Sequence, residues 1–468
     1  MLTQRPTRRF RSAALGSAVR ALFISTAVLA SAPSLAFQVS NGKIVDDQGN
    51  RITIQGVNWF GAETSNRVVH GLWIRSMTDM LDQMKSLGFN AVRVPFCPNT
   101  LQGVTPNGID FSKNPALQGL NSLQILDVLA TEMQNRGLYF LMDHHRPDCN
   151  AISELWYTDS YSEAQWIADL QFVASRYKDN AFFLGMDLKN EPYGRARWGS
   201  GDPAVDWNSA AERAAAAVLS VAPNALVFVE GVGDGSNCTT VPQGIWWGGN
   251  IAPQMCTPLN IPANRLVLSP HVYGPDVFAQ SYFADANFPN NMPAIWDSHF
   301  GSIQAQGYSV VIGETGGKYG TNDPRDKTFQ DALFAYLKQK DLRDVFYWSW
   351  NPNSGDTGGI LNDDWTTVRQ DKVTLLQNFW AGAPNPPATT PTDPSTPTTP
   401  PTTTPTPTPT PTTPPPTSTD PGVGNVITPT PTVSNMSGSG GGGAMNPWLM
   451  LFVSVGAVMR WYRRLMSH

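Results

Sequence analysis

From residue 52 to residue 350 the chain alternates two patterns. Short, near-continuous apolar runs are followed by longer stretches in which apolar positions recur every three to four residues. The short runs predict strands over 52–58, 91–95, 139–143, 184–188, 226–230, 266–270, 309–313 and 345–350. The longer stretches, such as 77–87, 120–136, 164–177, 207–221, 295–306 and 328–340, carry the period of a helix with one buried face. A strand that is apolar at every position is covered on both sides, as in a parallel sheet. Eight such strands alternating with helices predict an α/β chain folded as a (β/α)8 TIM barrel. A doubly wound open sheet is the competing arrangement, but no glycine-rich phosphate loop follows the first strand.

The flanks read differently. Arg5, Arg8, Arg9, Arg11 and Arg20 precede a short apolar run, and Ser34-Leu35-Ala36 supplies small residues at the two positions that a signal peptidase inspects. Residues 1–36 are therefore expected to be a signal peptide, which makes the protein secreted. The barrel domain is expected over 37–382. Residues 383–443 are a Pro/Thr linker ending in a Gly/Ser joint, too poor in apolar residues to bury a core. Residues 444–468 form a hydrophobic tail that closes with Arg460, Arg463 and Arg464. Its apolar stretch is short for a span of about 20 residues. With its basic end on the cytoplasmic side, it is expected to give a transient membrane association or to act as a sorting signal.

Composition narrows the partners. A net charge of −5 on 468 residues implies no nucleic acid. Fifteen Trp, 12 Tyr and 21 Phe supply flat rings that can stack on the apolar faces of sugars, so a carbohydrate partner fits. The four cysteines, Cys97, Cys149, Cys238 and Cys256, suit an oxidising compartment, and their spacing is not that of a zinc site. Cys97 and Cys149 follow neighbouring strands, which makes them a plausible pair. Cys238–Cys256 would then close one loop. The barrel is expected to be a monomer.

In a barrel of this kind the chemistry gathers at the C-terminal ends of the strands. Arg93 interrupts the second apolar strand, where a charge is costly unless a carboxylate pairs with it. The third strand ends in Asp143-His144-His145. Adjacent residues on a strand face opposite ways, so the two imidazoles make a poor chelate. One is expected to bond a sugar or orient a carboxylate, and no metal is expected. The fourth strand ends at Asn190-Glu191, and the fifth at Glu230, read as supporting. The sixth gives His271 and Tyr273, two apart and hence on one face. The seventh ends at Gly313-Glu314, and the eighth carries Trp348 and Trp350. Two carboxylates at different strand ends are what retaining glycoside hydrolysis needs, one as acid/base and the other as nucleophile about 5–5.5 Å away.

This ordered set resembles glycoside hydrolase family 5, and within it the bacterial endo-β-1,4-glucanases. The resemblance covers about 37–383 and rests on Gly56-Val57-Asn58-Trp59-Phe60-Gly61, His70-Gly71-Leu72-Trp73, Val92-Arg93-Val94-Pro95, His145-Arg146-Pro147-Asp148, Asn190-Glu191-Pro192, Trp246-Trp247-Gly248-Gly249-Asn250, His271-Val272-Tyr273, Gly313-Glu314 and Trp348-Ser349-Trp350-Asn351-Pro352. It implies a cellulose-type β-glucan substrate, no cofactor, Glu191 as acid/base and Glu314 as nucleophile. Arg93, His145, Asn190, His271, Tyr273 and Trp348 would complete the centre, and Trp73 and Trp247 would line the cleft. Thr315 and Ser65 stand where relatives often carry Phe and Cys. Phe278 stands where a Tyr would supply a hydroxyl on the leaving-group side.

Overall fold

A computed structural model describes residues 1, 37–233, 236 and 245–384. The expected signal peptide after residue 1, the linker after residue 384, the tail and Cys238 lie outside the described residues.

Eight parallel strands form the centre: β1 (Gln55–Asn58), β2 (Ala91–Phe96), β3 (Tyr139–His144), β4 (Phe183–Asp187), β5 (Leu226–Val229), β6 (Leu266–Leu268), β7 (Ser309–Val310, resuming as Ile312–Thr315) and β8 (Val345–Tyr347). Each pairs in parallel with the next, and β8 pairs with β1. The two halves of β7 close the barrel. The first pairs with β6 and the second with β8, and the main chain bends at Val311 between them. The second half still reaches back to the segment after β6, where the amide of Val272 donates to the carbonyl of Glu314.

The expected strands are all present within a few residues. Two features were not legible. A hairpin of Gln38–Ser40 and Lys43–Val45 precedes the barrel, and its Phe37, Val39 and Ile44 pack with the lumen residues Leu184, Phe228 and Phe346. The second is a helix after β8, α6 (Gln370–Trp380). The other principal helices are α1 (Met77–Ser86), α2 (Ser122–Asn135), α3 (Glu163–Tyr177), α4 (Trp207–Val221) and α5 (Pro324–Gln339). Ser76, Asn121 and Ser162 cap the first three, each side chain accepting an amide proton from the first turn. The stretch expected as one helix over 295–306 is three short pieces, Met292–Trp296, Asp297–Gly301 and Ile303–Gln306. Tyr336 explains the break. Its hydroxyl donates to Asp297 Oδ1 at 2.7 Å and stands 1.7 Å from where a Cβ on Gly301 would lie, so only glycine lets it in.

Strand alternation decides what faces the lumen. On β2, Val92, Val94 and Phe96 pack outward against the helices, while Ala91 joins the lumen cluster with Leu141, Leu184, Leu226, Phe228, Val267 and Phe346. Two residues further along β2, β3 and β5, the same inward parity reaches Arg93, Asp143 and Glu230, whereas on β4 a register shift at Leu184 brings Asp187 inward instead. The lumen is therefore apolar below and charged above.

Candidate active site

Arg93 is completely buried at the centre of the charged layer. Its Nη1 donates to Glu314 Oε1 at 2.6 Å and to Asn58 Oδ1 at 3.0 Å. Nε reaches Asp187 Oδ2 at 3.0 Å, and Nη2 reaches Asn190 Oδ1 at 3.1 Å, Glu230 Oε1 at 3.2 Å and Asp143 Oδ2 at 3.1 Å. A guanidinium offers five N–H donors in a planar fork, and here all three nitrogens are engaged. The carboxylates of Asp143 and Asp187 are pushed up to about 7 by burial, against the pull of Arg93.

Glu314 receives a second strong donor. The Tyr273 hydroxyl lies 2.6 Å from its Oε2. Burial alone would raise the Glu314 carboxyl, but the charges of His271 and Arg93 and the Tyr273 bond outweigh it and hold it below the usual carboxylate range.

Glu191 is built in the opposite sense. Burial pushes its carboxyl up to about 7, opposed by His271 and reinforced by Glu314. Only Oε1 has a partner, His271 Nδ1 at 3.1 Å, and Oε2 is buried without one. The backbone of Glu191 sits at φ 50°, a left-handed conformation that costs a non-glycine residue roughly 1–2 kcal/mol. Its amide donates to Glu230 Oε2 at 2.8 Å, which ties the turn down.

His271 stands between the carboxylates, with Nε2 3.1 Å from Glu230 Oε1 and Nδ1 3.5 Å from Glu314 Oε2. Burial works against its proton, but Glu230 and Glu314 hold it, so the ring stays protonated well above the usual histidine range. Glu230 is itself lifted to about 8 by burial against the pull of His271. Two acidic groupings with ligand atoms within 4.8 Å, Asp187/Glu230/His271 and Glu191/His271/Glu314, share this ring. The protonated imidazole and Arg93 already neutralise the oxygens these groupings offer.

Residues 45–354 match the Cellulase family, glycosyl hydrolase family 5. This chain belongs to that family. It is thus a glycoside hydrolase, and the (β/α)8 barrel is the family's fold. The chain is 61% identical over 373 residues, 79% of its length and 76% of the relative's, to the major extracellular endoglucanase of Xanthomonas campestris pv. campestris. The solved catalytic domain of the major endoglucanase from that organism superposes with a TM-score of 0.72 at 62% identity, over 74% of this chain and 99% of that one. An endocellulase of Pyrococcus horikoshii solved in complex with cellotetraose gives a TM-score of 0.72 at 47% identity, over 74% of this chain and 98% of that one.

The remaining expected site residues of this family 5 hydrolase fall as follows. His145 Nδ1 bonds Asp143 Oδ2 at 2.6 Å, and its ring lies parallel to Trp348 at 5.7 Å. His144 points the other way, onto Phe96 and the Tyr161 hydroxyl at 3.0 Å, as strand alternation requires. Burial lowers both imidazoles, His145 well below 6.5 and His144 to about 3. Trp348 also lies parallel to Phe60 at 5.3 Å. Trp73 is exposed over 37% of its surface and meets Trp365 edge-on at 4.9 Å. Trp247 stacks on Tyr193 at 3.8 Å. Phe278 is half-buried and edge-on to Trp246. Trp350 is fully buried in the main apolar cluster. Its amide donates to the carbonyl of Asn58, so it binds β8 to β1.

Cys97 and Cys149 form a disulfide with 5.4 Å between Cα atoms. Cys256 is also disulfide-bonded, and Cys238, its expected partner, lies outside the described residues. Asn58, Asp143 and Asp187 belong to the charged layer but were not singled out as site residues. The available signal was the one used for Arg93, a polar side chain inside an otherwise apolar strand.

Proposed function

We propose that this chain is a secreted endo-β-1,4-glucanase that retains anomeric configuration, with Glu191 as acid/base and Glu314 as nucleophile. The observation that carries the reading is the pair itself. Oxygens of the two carboxylates lie within 4.8 Å of each other, and their surroundings push them apart in acidity. Such a spacing agrees with the short carboxyl separation of retaining enzymes, about 5–5.5 Å, rather than with the ~6.5–9.5 Å over which an inverting enzyme holds a water. Opposite shifts assign opposite roles.

In the first step Glu191 gives its proton to the glycosidic oxygen while ionised Glu314 attacks the anomeric carbon. The C–O bond to the leaving sugar breaks, and a glucosyl ester forms at Glu314. As negative charge leaves Glu314, the Glu191 carboxylate takes a proton from water, which hydrolyses the ester. Arg93 and Tyr273 keep Glu314 ionised at rest. Asn190, fixed through its carbonyl by Arg93, presents its amide to the sugar 2-hydroxyl. Trp348 lies under the sugar ring, and Trp73, Trp247 and Phe278 extend the cleft.

The substrate class is supported by relatives named endoglucanases and by the cellotetraose complex of the Pyrococcus enzyme. Export of residues 1–36 agrees with the relative named extracellular. The same reading takes 383–443 as spacer and 444–468 as a membrane or sorting tail of a monomeric enzyme. Among the described residues no helix is long and apolar enough to cross a membrane.

Glu191→Gln and Glu314→Gln should each remove nearly all activity on carboxymethyl cellulose while the circular-dichroism spectrum stays unchanged. Assay of the wild-type enzyme on mixed-linkage glucan, mannan and xylan fixes the substrate. Near-normal turnover by either variant, or preference for mannan, would contradict the reading.

A further inference from the structure

Lys372 lies on α6, outside the barrel, yet its side chain is completely buried. Nζ donates to the carbonyls of Thr357 and Gly359, both at 3.0 Å, and sits 5.7 Å over the Tyr347 ring. Among the described residues no carboxylate lies within ion-pair distance of it. Burial pushes the ammonium down to about 7. An amphipathic helix has no packing need for such a group, and a buried cation is costly unless hydrogen bonds repay its lost hydration.

The two carbonyls it holds belong to the loop after β8, and that loop leads to the cleft. Thr357 Oγ1 donates to Ser354 Oγ at 2.7 Å. Ser354 Oγ accepts the indole N–H of Trp348 at 3.2 Å and donates to Asp356 Oδ1 at 3.1 Å. A serine hydroxyl has one proton and two lone pairs, and all three are used. The edge of the Trp348 ring is thus fixed by a hydroxyl whose own place is set by the residue that Lys372 anchors.

We propose that Lys372 is a remote positioning residue for substrate binding, acting through Thr357 and Ser354 on the tilt of Trp348. The inference rests on the glucanase reading above, in which Trp348 underlies a glucose unit. Lys372 touches no substrate itself. Its effect belongs to ground-state stacking, so it should appear in affinity before it appears in turnover.

Thr357→Val keeps volume and removes the hydroxyl, whereas Thr357→Ser keeps the hydroxyl. On the Glu314→Gln background, which should not consume substrate, cellotetraose binding is measured by calorimetry, and kcat and KM are measured in the active enzyme. Loss of one neutral hydrogen bond corresponds to about 2–12-fold. Thr357→Val should weaken binding and raise KM by that factor, with kcat within about twofold, and Thr357→Ser should match the parent. Lys372→Met should act in the same direction, and the double variant Lys372→Met/Thr357→Val should add little, because both break one chain of contacts. Parent-like binding by Thr357→Val, or fully additive effects, would overturn the positioning role. A parent that neither binds cellotetraose nor cleaves β-glucan would instead overturn the glucanase reading, and this inference with it.

Discussion

Arg93 and Glu314 meet 2.6 Å apart across the lumen, joining the second strand to the seventh. The same guanidinium also contacts Asp143, Asp187 and Glu230, so one cation serves four buried carboxylates. Removing it leaves Asp143 and Asp187 without their guanidinium partner, and Glu230 and Glu314 with only the protonated His271 beside them. Arg93→Ala should therefore destabilise the fold by about 3–5 kcal/mol, the usual cost of breaking a buried pair. In the protein that survives, Glu314 loses a charge that lowers its pKa, so the acid limb of kcat/KM should move to higher pH. Arg93→Lys should not rescue, since a point ammonium cannot span the fork's acceptors. An unchanged melting temperature and pH profile would make Arg93 a spectator.

The two carboxylates predict the shape of the pH–rate profile. Glu314 must be ionised, and His271, Arg93 and Tyr273 hold its pKa below the usual carboxylate range, so activity should be lost only at pH values more acidic than an ordinary carboxylate would give. Glu191 must be protonated, and its pKa is about 7, so activity should be lost as pH rises through that region. A plateau is expected from below the usual carboxylate range up to about 7. Glu191→Gln should abolish the alkaline limb of whatever activity remains on an aryl cellobioside with a good leaving group, because that substrate needs no proton. An alkaline limb that persists in this variant would assign it to another group.

Cys97 and Cys149 are 52 residues apart, and closing a loop of that length restrains the unfolded chain by about 4 kcal/mol on the entropic estimate. Cys97→Ala/Cys149→Ala should lower the melting temperature and leave kcat/KM at moderate temperature close to wild type. Peptide mapping without reduction should recover the Cys97–Cys149 peptide, and a Cys238–Cys256 peptide beside it. Recovery of Cys97 joined to Cys238 or Cys256 would contradict both pairs.

The barrel was legible because its strands are apolar on both faces, and that pattern survives without any knowledge of tertiary contacts. What the pattern could not carry was local geometry. The run at 309–313 reads as one strand, but Val311 marks a change of partner that only barrel closure imposes. The helix over 295–306 is broken by Tyr336, a residue from a distant helix. The hairpin at 38–45 is too short to announce itself. In the site, Glu191, Glu314, Arg93, His271 and Tyr273 are brought together as their strand-end positions suggested. Asp143 closes its apolar run and Asp187 sits one residue short of the end of its own, positions where a carboxylate also suits ordinary solvation. Alternation turns Asp143 inward onto Arg93, but Asp187 arrives there through the register shift of β4 at Leu184, which no sequence pattern announces. Trp350 and Trp348 look alike by residue type and are equally buried, and only their partners separate them: Trp348 lies parallel to His145 and Phe60 beside the charged layer, whereas Trp350 ties β8 to β1.

The most direct test of the mechanism is covalent trapping. A 2-deoxy-2-fluoro-β-cellobioside with a good leaving group slows hydrolysis of the glycosyl ester more than its formation. Intact-mass measurement followed by peptide mapping should find one cellobiosyl adduct per chain, attached to Glu314. An adduct on Glu191 or Glu230, or rapid turnover that releases the α anomer without any adduct, would contradict double displacement at Glu314.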